Sequence, residues 1–352
     1  METPRWNPFG VLYAVIIATA CVMLLLSIPV GIYTVFFTTL STSIGYANSI
    51  GYFPLYIGLL TIAVPVTPTF GTLFLGLTCV YVACIVLAAF QGGGFVRALV
   101  ATARQGPVAL LRNPLSAMIM ILGATLLATV ILQTFQSSVG VPTGGISGDP
   151  FLLFRDLTLS PLIEEIGYRF FLIGVPLAVL LLATHPTARK FLKTLWRPSA
   201  AWDAEPNPDP EHIQVPTDTL KNFTIFLIAL SSIVFGLAHY LSGAGWDVGK
   251  ISEAALDGVA LGYLYVRYGL HASILFHWAV DYATNAFAFY GQAVYGTSWT
   301  ANSVYSIVPT IDILIIVGLP GLLFFLNLFL KRVIKPHQVT TEDDSSRQIN
   351  PA

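Results

Sequence analysis

The sequence predicts an all-α fold, a polytopic transmembrane helical bundle of about eight spans. Three observations predict it. Hydrophobic residues make up 55% of the chain and charged residues 10%, with a mean hydropathy of +0.75. A soluble domain carries roughly 25% charged residues, so this chain could not cover a water-facing surface. Its apolar residues fall in runs near the ~20 residues a spanning helix needs. Its Lys and Arg cluster in alternate loops between those runs. The formal net charge of −1 points to no nucleic-acid partner.

The spans are read, in order, at 11–37, 72–90, 115–135, 157–183, 220–241, 252–268, 270–290 and 307–330. The first is too long for the roughly 7–15-residue core of a signal peptide and is expected to be retained. The sixth is short and interrupted by Asp257. The stretch near 52–66 is apolar but short and holds Pro54 and Pro65, so it reads as a re-entrant or interfacial piece rather than a span. Four regions follow: 1–150 as N-terminal spans, 151–290 as the core with the buried polar motifs, 291–335 as the final span, and 336–352 as a disordered tail. A polar loop, 184–219, interrupts the core. Its Asp203–Glu211 stretch is acidic and proline-rich, which suits an exposed linker.

With eight spans, Arg5, Arg97, Arg104, Arg112, Arg189, Lys190, Lys193, Arg197, Lys221, Arg267, Lys331, Arg332 and Lys335 share one side. Arg155 and Lys250 lie opposite. The asymmetry predicts a multi-pass protein of the cell membrane with both termini cytoplasmic; a further span at 52–66 would flip only the N-terminus. Cys21, Cys79 and Cys84 lie in apolar runs without a Cys-x-x-Cys pair, which supports neither a disulfide framework nor a cysteine metal site. The terminal Gln-Ile-Asn-Pro-Ala is no prenylation signal.

Ionisable side chains at membrane depth cost roughly 2.5–3.5 kcal/mol each on insertion scales and usually face a cavity or one another. Three groups stand out. In span four, Glu165 and Arg169 are four apart and share a helix face, where they can pair. Glu164 points about 100° away, without an in-helix cation, and remains available as a base. A purely structural polar knot is the competing reading. In span five, His239 follows Phe235 by four residues, with the small Gly236 and Ala238 between. Small residues let another helix or a peptide approach. In span seven, His277 and Asp281 share a face that Asn285 extends, and Asp281 can orient His277. His271, at the start of that span, is a weaker candidate. No His-Glu-x-x-His zinc motif occurs, and no Gly-x-Ser-x-Gly elbow lies in or near a span.

Glu164-Glu165-x-x-x-Arg169, Phe235-x-x-x-His239 and His277-x-x-x-Asp281, in that order within successive core spans, resemble the motifs of the CAAX-protease and bacteriocin-processing family. Its members are intramembrane peptidases of the type II CAAX prenyl endopeptidase kind, and the resemblance covers roughly residues 150–290. It implies an intramembrane endopeptidase acting on a peptide or lipidated protein at the bilayer. It further implies that Glu164 activates water with help from His239. His277 and residue 281 stabilise the oxyanion, and Glu165 and Arg169 hold the helix geometry. The family has been described both as a metal-free glutamate type and as metal-dependent. The cofactor expectation is therefore none, or one zinc ion on Glu164, His239 and His277. Where the family often has Asn, this chain has Asp281. An ionised Asp cannot donate to an oxyanion, so it is protonated, or orients His277, or ligates metal. Two rival functions remain at this level: a proton-coupled transporter, and a non-catalytic scaffold or immunity protein. Helix length also poses a conflict. Glu164 is expected roughly 10 Å in from the outer face and His277 roughly 10 Å in from the inner one, so they meet only if span seven tilts or starts deep.

Overall fold

The structure is a computed structural model that describes residues 6–38, 46–184, 188–202, 216–296 and 318–327. It is a helical bundle with one β-hairpin. Helix α1 (Pro8–Phe37) starts at Asn7, whose side chain accepts from the Gly10 amide at 3.2 Å, with proline at its first position. Strands β1 (Ser49–Ile57) and β2 (Leu60–Thr69) pair antiparallel through a two-residue turn, Gly58-Leu59. Gly58 has a φ of +58°, as such a turn requires.

The chain is otherwise an all-α helical bundle, as expected, and this hairpin gives the stretch near 52–66 its form. The apolar run is rich in β-branched residues, among them Ile57, Thr61, Ile62, Val64 and Val66, which favour strands. Pro54 and Pro65 oppose helix, but a two-stranded sheet gives each strand an outer edge where a missing N–H costs nothing.

Helix α2 (Phe70–Phe90) is capped by Thr69, which accepts from the Thr72 amide. Its last carbonyls are satisfied by Asn113, whose amide donates to Ala88 O at 2.8 Å and Gln91 O at 2.7 Å. The same Asn113 caps α4 (Pro114–Ser138) by accepting from the Ser116 amide. Between them lies α3 (Phe95–Gln105), a short amphipathic helix. Helix α5 (Pro150–Glu164) runs through a wide π-helical segment, Glu165–Gly174, into α6 (Val175–Thr184).

Part of the polar loop 184–219 is folded. Helix α7 (Ala188–Trp196) and a 3₁₀ turn (Pro198–Trp202) bury Thr194, Ser199, Ala200 and Ala201. All of the acidic stretch 203–211 lies outside the described residues, within 203–215, as does the tail 336–352. Helices α8 (Thr217–Leu241) and α9 (Gly249–Tyr268) pack closely along a stripe of small residues. A Cβ on Gly236 would overlap Ile251, and one on Gly258 would meet Ser232 Cα at 2.8 Å. Gly236 thus admits a neighbouring helix, as its size predicts. Asp257 does not break the sixth run, which is a continuous helix.

The seventh run is divided. Helix α10 (Leu270–Trp278) leads through a π-helical turn, Ala279–Ala283, into α11 (Thr284–Tyr295). Of the eighth, only α12 (Gly318–Asn327) is described. Among the described residues, five helices are long and apolar enough to cross a membrane: Pro8–Phe37, Phe70–Gly93, Pro114–Ser138, Phe151–Leu182 and Thr217–Leu241. Exposed Leu25, Leu26, Val82, Phe226 and Ile233 give them the apolar outer faces of a multi-pass membrane protein. Inside, Phe74, Tyr81, Phe154, Trp278, Tyr282 and Phe289 form one aromatic core. Tyr282 also fixes α1, its hydroxyl donating to Ser27 O at 3.3 Å beside Gly31.

Candidate active site

The two π-helical segments begin or fall at the polar motifs: Glu165 and Arg169 lie in the first, Asp281 in the second. Such wide turns occur mostly as single bulges, frequently at functional sites. Here they bring α5 and α10 together at one polar cluster. His277 is its centre. Nδ1 of His277 lies 2.9 Å from Glu165 Oε1, Nε2 lies 3.2 Å from Asp281 Oδ2, and Nε2 is 3.9 Å from Glu164 Oε2. Carboxylates only accept, so the contacts with Glu165 and Asp281 are hydrogen bonds only when that ring nitrogen bears a proton, while 3.9 Å to Glu164 is an ion-pair approach.

Glu165 is wholly buried. Beyond His277 it accepts from the Ser273 hydroxyl and faces Arg169 Nε at 3.4 Å. The i, i+4 pair expected from spacing therefore forms, but Glu165 also grips His277 directly across the helix interface. Arg169 is fully buried, and its guanidinium nitrogens have no hydrogen-bond partner among the described residues. Its cationic plane sits 4.2 Å over the Phe235 ring, a favourable cation–π contact.

Asp281 accepts from Ser160 Oγ at 2.6 Å, and its backbone carbonyl accepts from Asn285 at 2.7 Å. The carboxylate is thus engaged as an acceptor. Glu164 differs from Glu165. Its side chain is 20% exposed, and its Oε2 has no hydrogen-bond partner among the described residues. His239 is half-buried, and its Nδ1, when protonated, donates to the Phe235 carbonyl, 2.9 Å away. It joins the cluster through the Phe235 ring, which lies edge-on to His239 at 4.6 Å and to His277 at 5.9 Å.

The start of α10 is irregular, as the sequence predicts for span seven. Helix α9 ends at Gly269, whose φ of +114° suits only glycine, and α10 begins at once. Trp196 of the folded insertion packs on that turn and stacks on His271 at 5.5 Å. The α9–α10 turn is therefore covered by protein. His271 takes no part in the cluster.

Zinc fits this arrangement poorly. Both His277 nitrogens already face carboxylates, and no group of three or more His, Cys, Asp or Glu among the described residues is placed to hold a metal ion. The trio Glu164, His239 and His277 is therefore not assembled as a tetrahedral ligand set.

Sequence reasoning overlooked Ser160, Ser273 and Tyr56. Ser160 precedes Glu164 by four residues and Ser273 precedes His277 by four, so both share a helix face with a motif residue. Tyr56, on β1, stacks on Tyr168 at 6.2 Å, and Gly167 leaves just the room its Cβ needs. The Gly58 amide donates to Gly167 O at 3.4 Å, so the hairpin leans on the wide turn that follows Glu164.

Residues 147–283 match the family described as Type II CAAX prenyl endopeptidase Rce1-like. The match covers less than half the chain and contains all three motifs and the whole cluster. Over the region that holds the site, the chain is therefore similar to proteases of the CAAX-processing type. No curated protein and no solved structure matches the chain.

Proposed function

We propose that this chain is an intramembrane endopeptidase that hydrolyses a peptide bond of a membrane-associated or lipidated substrate with glutamate-activated water. The observation that carries this reading is the approach of Glu164 Oε2 to His277 Nε2, 3.9 Å apart inside an otherwise apolar bundle. Hydrolysis needs a base beside a charge-stabilising donor, and these two groups supply both.

Glu164 takes a proton from water as the water oxygen attacks the scissile carbonyl carbon. The resulting oxyanion is stabilised by the His277 Nε2 proton. Collapse expels the amine, and Glu164 returns its proton to that leaving nitrogen. The products are a carboxylate and an ammonium group, the remaining proton of the water passing from the new carboxyl group to the more basic amine. The free Oε2 of Glu164 supports its role as base. Glu165 is held by three partners and supports His277 instead. His239, anchored by the Phe235 carbonyl, keeps Nε2 for the attacking water when its Nδ1 bears the proton.

Asp281 accepts a hydrogen bond from Ser160, which favours the role of positioning His277 over that of donating to an oxyanion. The positive-inside pattern supports cytoplasmic termini, and the match over 147–283 supports a substrate of the prenylated-peptide class.

The test is cleavage of prenylated and unmodified peptides by the purified full chain. Glu164→Gln lowers kcat by about 10²–10⁴-fold, the usual contribution of a general base, with the circular dichroism spectrum unchanged. Full cleavage by both Glu164→Gln and His277→Ala would overturn the assignment.

A further inference from the structure

A second feature lies at the other end of α10, away from the cluster. Val86, Leu87, Phe90, Gln91, Trp196 and His271 line a pocket of about 330 Å³, near the lower limit of small-ligand sites. Val86, Leu87 and Phe90 belong to the outer face of α2 and are 49%, 52% and 80% exposed. The pocket therefore opens toward the lipid. Its inner wall is different. His271 is 1% exposed, and neither of its ring nitrogens has a hydrogen-bond partner among the described residues; Gln91 Oε1 is also without one. Unsatisfied buried polar groups are costly, so these atoms call for a ligand with polar atoms at that depth.

Charge narrows the ligand. The three segments that supply the lining residues Gln91, Trp196 and His271, namely 91–112, 188–202 and 262–271, carry eight Lys or Arg and no Asp or Glu. Arg97, Arg112, Lys193 and Arg267 among them are exposed. Asn113 ties Gln91 to α4, and Tyr265 ties α9 to the insertion by donating to Leu195 O at 2.6 Å. The rim is thus built rather than loose. Trp196 stands at its edge, the residue type that favours the boundary between hydrocarbon and headgroups.

We infer that this pocket holds one acyl chain of an anionic glycerophospholipid, with its ester and glycerol oxygens at His271 and Gln91 and its phosphate among the rim cations. The site is separate from the catalytic cluster and does not depend on the peptidase reading. Its structural consequence is that a bound lipid braces the α9–α10 turn from which His277 is suspended.

Native mass spectrometry of the full chain, extracted from vesicles of equal phosphatidylglycerol and phosphatidylcholine, tests it. Wild type is expected to retain phosphatidylglycerol in preference. Val86→Trp fills the pocket from its exposed side and should abolish retention. Lys193→Gln and Arg112→Gln should each lower retention about fivefold, the effect of one cation at an anionic surface. Both positions are exposed, so neither variant threatens the fold. Equal retention of the two lipids by wild type would overturn the inference, as would unchanged retention by Val86→Trp.

Discussion

Replacing Arg169 by methionine removes the guanidinium cation nearest to the buried Glu165 while keeping a side chain of similar reach. The two groups are fully buried, and Arg169 Nε stands 3.4 Å from Glu165 Oε2. At that separation, with an effective dielectric constant of about 20, their attraction is about 5 kcal/mol. Removing one partner of a buried pair costs about 3–5 kcal/mol, because the survivor keeps its desolvation penalty without its counter-charge. The two figures agree, so Arg169→Met is expected to destabilise the fold by about 3–5 kcal/mol.

The double variant Glu165→Gln, Arg169→Met removes both charges. It should recover part of that loss, giving a coupling free energy of about 0.5–3 kcal/mol in a double-mutant cycle. Denaturant titration of the purified chain in mixed micelles, with linear extrapolation, measures each variant. A loss below about 1 kcal/mol for Arg169→Met, the range of an exposed ion pair, would refute the placement of this pair in a desolvated core.

Three further outcomes are expected. Ser160→Ala removes the hydroxyl that donates to Asp281 at 2.6 Å; a hydrogen bond to a charged group contributes about 1.5–3 kcal/mol, so kcat should fall about tenfold or more. KM should hold, and Ser160→Thr should restore the rate in steady-state assays; no rescue by threonine would leave the hydroxyl without a positioning role. Gly258→Leu sets a side chain where Ser232 Cα already stands. It should cost about 1–3 kcal/mol by overpacking in the same denaturant titration, and Gly258→Ala should cost less. Treatment with a strong chelator should leave peptide cleavage unchanged; loss of cleavage that added zinc restores would show that the ligand set rearranges into a metal centre.

Much of the site was legible in one dimension because helices convert spacing into proximity. Glu165 with Arg169, and His277 with Asp281, were paired from intervals of four, and both pairs form. The hairpin was not legible as such. Its apolar content met the same hydropathy criterion as the spans, and only its β-branched residues and the Gly58 turn distinguished it. The fold of residues 188–202 was hidden in the same way, since a short amphipathic helix acquires its burial only from the core it covers. The contact between His277 and Glu165 belongs to two helices far apart in sequence, and no local period encodes it. The wide turns at Glu165–Gly174 and Ala279–Ala283 were equally invisible, because a π-helical segment is set by what packs against it.

Hydropathy and charge by themselves therefore determined that this protein lives in a membrane and which buried ionisable residues had to find partners there. Each such residue carries a cost in hydrocarbon that does not depend on its neighbours, so composition reveals it. Which partners they found, and that Glu164 alone of the two glutamates was left with an unpaired oxygen, was decided by tertiary packing. Pairing depends on distances between helices, and those distances are fixed only when the whole bundle has closed.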